Sequence, residues 1–194
     1  YADAYGEYQN WNGMDPYNVN PYWDINKNKN QSYKDLVRMN GKIVYNIIPQ
    51  LKIQATVGAE MNRFEFSDFK YPTTPGYEAG RLQNSFFNNK MFNAEVLAIY
   101  QDTWGDFDFT ATAGANVYNV SNKTTINTGT DMSIREVVAM SSFEEQSVEE
   151  ASYRKRIVSV FGSVNLGWRH MLYLDATVRG DKSSTLPSGN NLYV

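Results

Sequence analysis

Phe107-Asp108-Phe109-Thr110-Ala111-Thr112-Ala113-Gly114-Ala115-Asn116-Val117 alternates apolar residues with polar or small ones along its whole length. Successive side chains of a strand point to opposite faces, so a period of two predicts a strand with one apolar and one polar face. A helix would repeat its apolar positions about every 3.6 residues, which this stretch does not do.

The pattern recurs over 51–62, where Leu51, Ile53, Ala55, Val57, Ala59 and Met61 alternate with Lys52, Gln54, Thr56, Gly58, Glu60 and Asn62. Four less regular stretches read the same way: 36–47 (Val37, Met39, Ile43, Tyr45), 89–101 (Phe92, Ala94, Val96, Ala98, Tyr100), 153–168 (Val158, Val160, Val164, Leu166, Trp168) and 172–182 (Leu172, Leu174, Ala176, Val178). Soluble strands usually run about 5 to 6 residues, whereas a tilted strand that crosses a bilayer needs about 9 to 11. The lengths here favour the second class.

Connections alternate between short and long. Ile48-Pro49-Gln50, the Asp102-Thr103-Trp104-Gly105-Asp106 segment and Arg169-His170-Met171 read as tight turns, while 63–88 and 120–152 read as long polar loops. Short turns on one side and long loops on the other are the habit of outer-membrane β-barrels. The fold class expected is therefore all-β: six antiparallel strands forming a segment of a large transmembrane barrel, with short periplasmic turns and long extracellular loops. Residues 1–35 are expected as an extracellular loop segment, 36–182 as the barrel strands with their loops, and 183–194 as the start of a further extracellular loop.

Aromatic residues gather beside the tight turns: Tyr45, Tyr100, Trp104, Phe107, Trp168 and Tyr173. Rings held at one height form an interfacial girdle in a membrane barrel; ordinary packing at hairpin ends is the alternative. Arg154 and Arg156 open the apolar set of their strand at the end nearest the long loop, where they would meet lipid phosphates or simply be solvated. Six strands are too few to close a membrane barrel, so the chain is expected to be a segment of a longer polypeptide.

The 194 residues contain no Cys, which removes disulfides, thiolate metal sites and a Cys nucleophile. A net charge of -3 supplies no field that would gather nucleic acid. Val96-Leu97-Ala98-Ile99-Tyr100 is the longest apolar run, far below the roughly 18 to 20 residues of a transmembrane helix.

Asp24, Asn26, Asn28, Asn30, Ser32 and Asp35 follow an EF-hand-like spacing. Lys29 stands where the sharp turn needs Gly and Asp35 where a bidentate Glu is wanted, so a polar loop without metal is the favoured reading. His170 is the single histidine, which leaves no partner for a triad base or a multi-histidine site. Glu144, Glu145, Glu149 and Glu150 read as solvated loop charge, since paired carboxylates act on glycosidic bonds only when rigidly spaced. Tyr8, Trp11, Tyr17, Tyr22 and Trp23 offer rings for stacking on a sugar, a peptide or a partner protein, and self-packing of a large loop is the competing account. No cofactor and no catalytic residue is expected.

Tyr173-Leu174-Asp175-Ala176-Thr177-Val178-Arg179-Gly180-Asp181-Lys182-Ser183-Ser184-Thr185-Leu186-Pro187 resembles the barrel signature of SusC/RagA-type TonB-dependent transporters of Bacteroidetes, with Gly180 and Lys182 in place of the usual Asn and Trp. Val160-Phe161-Gly162 before Leu166-Gly167-Trp168, and Asn20-Pro21-Tyr22-Trp23 before the strand with Arg38 and Gly41, are similar to stretches of the same region in the same order. The resemblance implies outer-membrane import of an oligosaccharide or oligopeptide. It also implies a SusD-like surface lipoprotein as lid, and TonB acting through a plug region outside this chain. From another class stands a soluble all-β carbohydrate-binding or adhesin domain, for which the Tyr- and Trp-rich loops would be the ligand surface. A barrel enzyme is disfavoured because His170 lies at the turn end, opposite the long loops.

Overall fold

A computed structural model describes residues 2–9, 18–135, 137–187 and 192–193. One short helix, α1 (Pro21–Lys27), precedes the strands β1 (Lys29–Ile48), β2 (Leu51–Lys70), β3 (Arg81–Trp104), β4 (Phe107–Met132), β5 (Phe143–Trp168), β6 (Leu172–Ser183) and the two-residue β7 (Leu192–Tyr193). They form a single sheet in the order β1-β2-β3-β4-β5-β6-β7, so every strand pairs with its neighbours in sequence. The fold is all-β with six long antiparallel strands, as the alternation predicts.

The strands run further than the alternation does. β2 continues to Lys70, β3 begins at Arg81, β4 continues to Met132 and β5 begins at Phe143. Most of 63–88 and 120–152, expected as loops, is thus strand, and the connections shrink to 71–80 and 133–142. In β4 the cause is composition: along Ser121-Asn122-Lys123-Thr124-Thr125-Ile126-Asn127-Thr128 only Ile126 is apolar. A ladder that holds through backbone hydrogen bonds alone leaves no period-two hydrophobic trace. The expected strand starts and ends near the tight turns fall within a few residues of those observed.

Two compact units divide the residues: Tyr1–Asp35 with Asn62–Asn88 and Lys123–Ser152, and Leu36–Met61 with Asn89–Asn122 and Tyr153–Val194. The first has a small core in which Phe69, Leu82, Met132 and Phe143 are buried and Tyr71 and Met140 pack against them. Gly129 lies beneath this core, since a Cβ there would come within 2.8 Å of the Phe143 ring and 2.9 Å of Met140 Sδ. The second unit has no buried hydrophobic residue among those described. Its strands form one layer in which Ile43, Val160, Leu172, Leu174 and Val178 stay exposed.

Candidate functional site: an apolar sheet face and an aromatic loop cluster

Register decides which side chains share a face. β5 and β6 pair so that Val160 faces Gly180, Gly162 faces Val178, Val164 faces Ala176, Leu166 faces Leu174 and Trp168 faces Leu172. Between these pairs stand Ser159 with Asp181, Phe161 with Arg179, Ser163 with Thr177 and Asn165 with Asp175. One face is apolar and the other polar, across two strands at once.

Polar groups on that second face bond to each other. Arg179 Nη2 donates to Ser159 Oγ at 3.0 Å, its guanidinium lies 5.5 Å from the Phe161 ring centre, and Asn165 Nδ2 donates to Asp175 Oδ1. The Phe161 ring lies over Gly114, where a Cβ would come within 2.6 Å of both Phe161 Cζ and Leu97 Cδ2. Arg38 Nε donates to Glu60 Oε2 at 2.8 Å and Asn116 Nδ2 to Asn93 Oδ1 at 2.9 Å, so β1 to β4 carry the same kind of face.

The apolar face is bare. Ile43, Val160, Leu172, Leu174 and Val178 are all more than 60% exposed, reaching 73% at Ile43. Lower on this face Leu51, Ala98, Ala111, Ala113, Ala176 and Val178 help to line a shallow depression of about 500 Å³. Monomeric soluble proteins rarely leave contiguous apolar area of this kind uncovered; it marks a protein or membrane contact.

All three tight turns lie at one end of the strands, cross-tied in the second unit. Gln101 N donates to Gln50 O at 2.8 Å, and Arg169 Nε donates to Asp106 Oδ2 at 2.8 Å. Of the aromatic residues expected beside these turns, Tyr100 and Trp104 come together: Tyr100 Oη and Trp104 Nε1 both donate to Asp102 Oδ2, at 3.0 and 2.9 Å. Trp104 stacks on Phe109 at 5.3 Å and 14°, and Tyr100 lies 6.2 Å from the same ring. Phe109, absent from the expected set, is therefore its centre; its place in the period-two pattern, two residues from Phe107, was the signal. Trp168 carries the Arg169 guanidinium 5.2 Å from its ring centre, while Tyr45 and Phe107 are exposed. Tyr173 is a correction. It pairs with Gly167, on the polar face, and its ring fills the space where a Gly167 Cβ would come within 3.2 Å. Its neighbours Leu172 and Leu174 are the apolar-face residues, one step out of phase.

The loop cluster of the first unit is built on Asn28. Its Oδ1 accepts from Tyr71 N at 2.8 Å and from Thr74 Oγ1 at 3.2 Å, while its Nδ2 donates to Asp24 Oδ1 at 2.7 Å. Thr74 Oγ1 in turn accepts from Trp23 Nε1 at 3.1 Å. Asn20 caps α1 by accepting from Tyr22 N, with Pro21 at the first helical turn where its missing N–H costs nothing. Trp23 is 0% exposed and meets Tyr71 edge-on at 5.8 Å, with Lys27 Nζ 4.6 Å from the Tyr71 ring centre.

This burial corrects Trp23 as a ligand-stacking residue: no face of its ring is free. Tyr22 and Tyr8 stay exposed, and Trp11 and Tyr17 lie outside the described residues. The EF-hand-like run is not a loop either. Asp24 and Asn26 are in α1 and Asn30, Ser32 and Asp35 in β1, so these oxygens do not close on one point. The glutamates are strand residues of β5, where Glu145 accepts from Thr130 Oγ1 and Glu150 pairs with Lys123 Nζ at 2.8 Å. His170 sits in its turn with Nδ1 3.3 Å from Asp108 Oδ2 and its side chain 82% exposed. In the 71–80 connection, the Glu78 carboxylate is held below its ordinary range by its own backbone N–H and by that of Gly76, which donates to Oε1 at 3.0 Å.

No family model matches the chain, and no curated protein matches it. Solved structures do. A chain described as belonging to the RagAB peptide transporter aligns with a TM-score of 0.78 at 19% identity, over 89% of this chain and 20% of that one. Two structures of the RagAB peptide importer, in "closed-closed" and "open-open" states, align with TM-scores of 0.79 and 0.75 at 19% and 20% identity. They cover 86% and 89% of this chain, and 19% and 20% of theirs. At such identity the likeness concerns the fold, and the chain spans about one-fifth of the length of the transporter chains it matches.

Proposed function

We propose that this chain is a wall segment of an outer-membrane β-barrel transporter of the SusC/RagA type, driven through TonB by a plug region outside it. The carrying observation is the bare apolar face of a long-stranded antiparallel meander whose other face is polar and hydrogen-bonded. Lipid satisfies the first face and a wet lumen the second, whereas a soluble sheet would need a second layer over the apolar side. In this reading the tight turns are periplasmic, and the 71–80 and 133–142 connections with the α1 cluster are extracellular. Tyr45, Tyr100, Trp104, Phe107 and Trp168, joined by Phe109, are interfacial anchors.

The cargo is a bulky nutrient, and the peptide importers it resembles favour an oligopeptide over an oligosaccharide. A SusD-like lipoprotein would cover the outer mouth, with exposed Tyr8 and Tyr22, and Trp11 and Tyr17, as candidate contacts to lid or cargo. The reading assigns no catalytic chemistry and no cofactor.

The test expresses the whole polypeptide carrying residues 1–194 and asks whether it folds only in detergent or lipid. Detergent-dependent β structure whose gel migration shifts on heating supports the barrel. A monodisperse β-rich protein without detergent sinks it and promotes the soluble carbohydrate-binding or adhesin domain.

A further inference from the structure

Toward the far end of the apolar face from the tight turns, its chemistry changes from hydrocarbon to cation. Lys90 precedes Phe92 in the apolar-face set of β3, and Arg154 and Arg156 precede Val158 in that of β5. These three cations, with Phe92, Asn119 and Ser184, line a depression of about 510 Å³. Lys182 pairs with Val158 across the ladder, which places a fourth cation on the same face.

Most other basic residues near carboxylates are paired: Arg38 with Glu60, Arg63 with Glu65, Arg81 with Asp68, Lys123 with Glu150, Arg169 with Asp106 and Arg179 with Asp181. Lys90, Arg154, Arg156 and Lys182 have no ion pair among the described residues. A bond between two side chains orients one guanidinium without neutralising it: Arg156 Nε donates to Asn119 Oδ1 at 2.8 Å. Ser184 fixes the same strand position, with its Oγ accepting from Arg156 N and its own N donating to Arg156 O, both at 2.9 Å. Like charges gathered without counter-charge raise the local potential and leave forked donors unused, the condition in which phosphate oxygens are bound.

We propose that Lys90, Arg154 and Arg156 form a binding site for the phosphate headgroup of an anionic lipid, whose acyl chain runs down the apolar face toward the depression lined by Ala98, Ala111, Ala113 and Ala176. The continuity of cation cluster, Phe92 and small-residue depression on one face selects a lipid over free phosphate. Charge supplies the selection among lipids, hydrocarbon the retention. The proposal rests on reading this face as lipid-facing.

The whole polypeptide in zwitterionic detergent is mixed with phosphatidic acid or phosphatidylcholine, and bound lipid is counted by native mass spectrometry. Phosphatidic acid is expected to bind at least about tenfold more tightly than phosphatidylcholine, as a few basic groups at an anionic surface allow. R154Q/R156Q should bring the two lipids to parity, R154K/R156K should keep most of the preference, and K42Q, on the polar face, should leave it unchanged. Equal binding of both lipids, or an unaltered preference in R154Q/R156Q of normal heat-modifiable migration, overturns the site. Displacement of the lipid by an equal concentration of inorganic phosphate overturns it also, as a soluble-anion site. In each case the protein still needs detergent, whereas failure of the barrel reading appears as a protein folded without it.

Discussion

Trp23 illustrates how one side chain changes role between sequence and structure. A Trp amid Tyr and Asn in a polar stretch advertises a ligand surface, yet its indole is closed in by Tyr71 and Lys27 and its N–H is spent on Thr74, fifty-one residues away. Nothing local to 20–30 records that partner. Trp23→Ala is expected to destabilise the loop cluster by about 3 to 5 kcal/mol, the usual cost of emptying a buried Trp site. Thr74→Val, which strands the indole N–H and one Asn28 contact, should cost about 1 to 3 kcal/mol. Urea unfolding followed by Trp fluorescence checks both, and a Trp23→Ala protein of unchanged midpoint would return this residue to the ligand surface. Glu78 offers a test of sign. Because its folded-state pKa is lowered, its bond to Gly76 N contributes stability that is complete above its ordinary value of 4.5 and is lost as pH falls through the lower folded value. The Tm gap between wild type and E78Q should therefore be open at neutral pH and close on acidification.

At the scale of elements, legibility followed hydrophobicity. β2 and β4 near the turns could be read residue by residue because one face is apolar; beyond Asn119 β4 has almost no apolar residue to mark a face, and in β2 Phe64 and Phe66 alternate out of phase with Met61 until Asp68 and Phe69 break the phase again. The helix α1 did leave a trace in Asn20-Pro21, a cap followed by a residue preset for a first turn, which the EF-hand-like spacing masked. Tyr173 was misplaced by proximity to the turn, although counting parity from Leu172 puts it on the other face. The β5–β6 turn carries a testable strain: Arg169 and His170 take φ of 50° and 57°, a left-handed pair that hairpins usually give to Asn-Gly. His170→Gly should stabilise the hairpin by about 1 kcal/mol, since the left-handed cost outweighs an exposed His–Asp contact. Gly114→Leu should act the other way, by about 1 to 3 kcal/mol of overpacking against Phe161 and Leu97. Both are measurable as shifts in thermal unfolding in detergent.

For the whole molecule, the question is what covers the apolar face. Val164→Arg on that face should cost about 2 to 4 kcal/mol if lipid lies against it at the bilayer midplane, while Ser163→Arg on the polar face should be nearly silent. A bromine-bearing acyl chain extends the test, because it quenches a Trp placed at Val164 only when that chain touches it. Equal tolerance of both arginines would argue that neither face meets hydrocarbon. One further property follows from the order of strands. Among the described residues β1 has no partner strand on its outer side, so in a preparation of residues 1–194 its outer row of amides and carbonyls would be a template for any extended chain of matching length. Growth on such a template is bimolecular, while closing the successive hairpins is unimolecular. Refolding of residues 1–194 in detergent should thus be a race decided by concentration: dilute chains recover the meander, and concentrated ones polymerise edge to edge into material that scatters light and binds cross-β dyes.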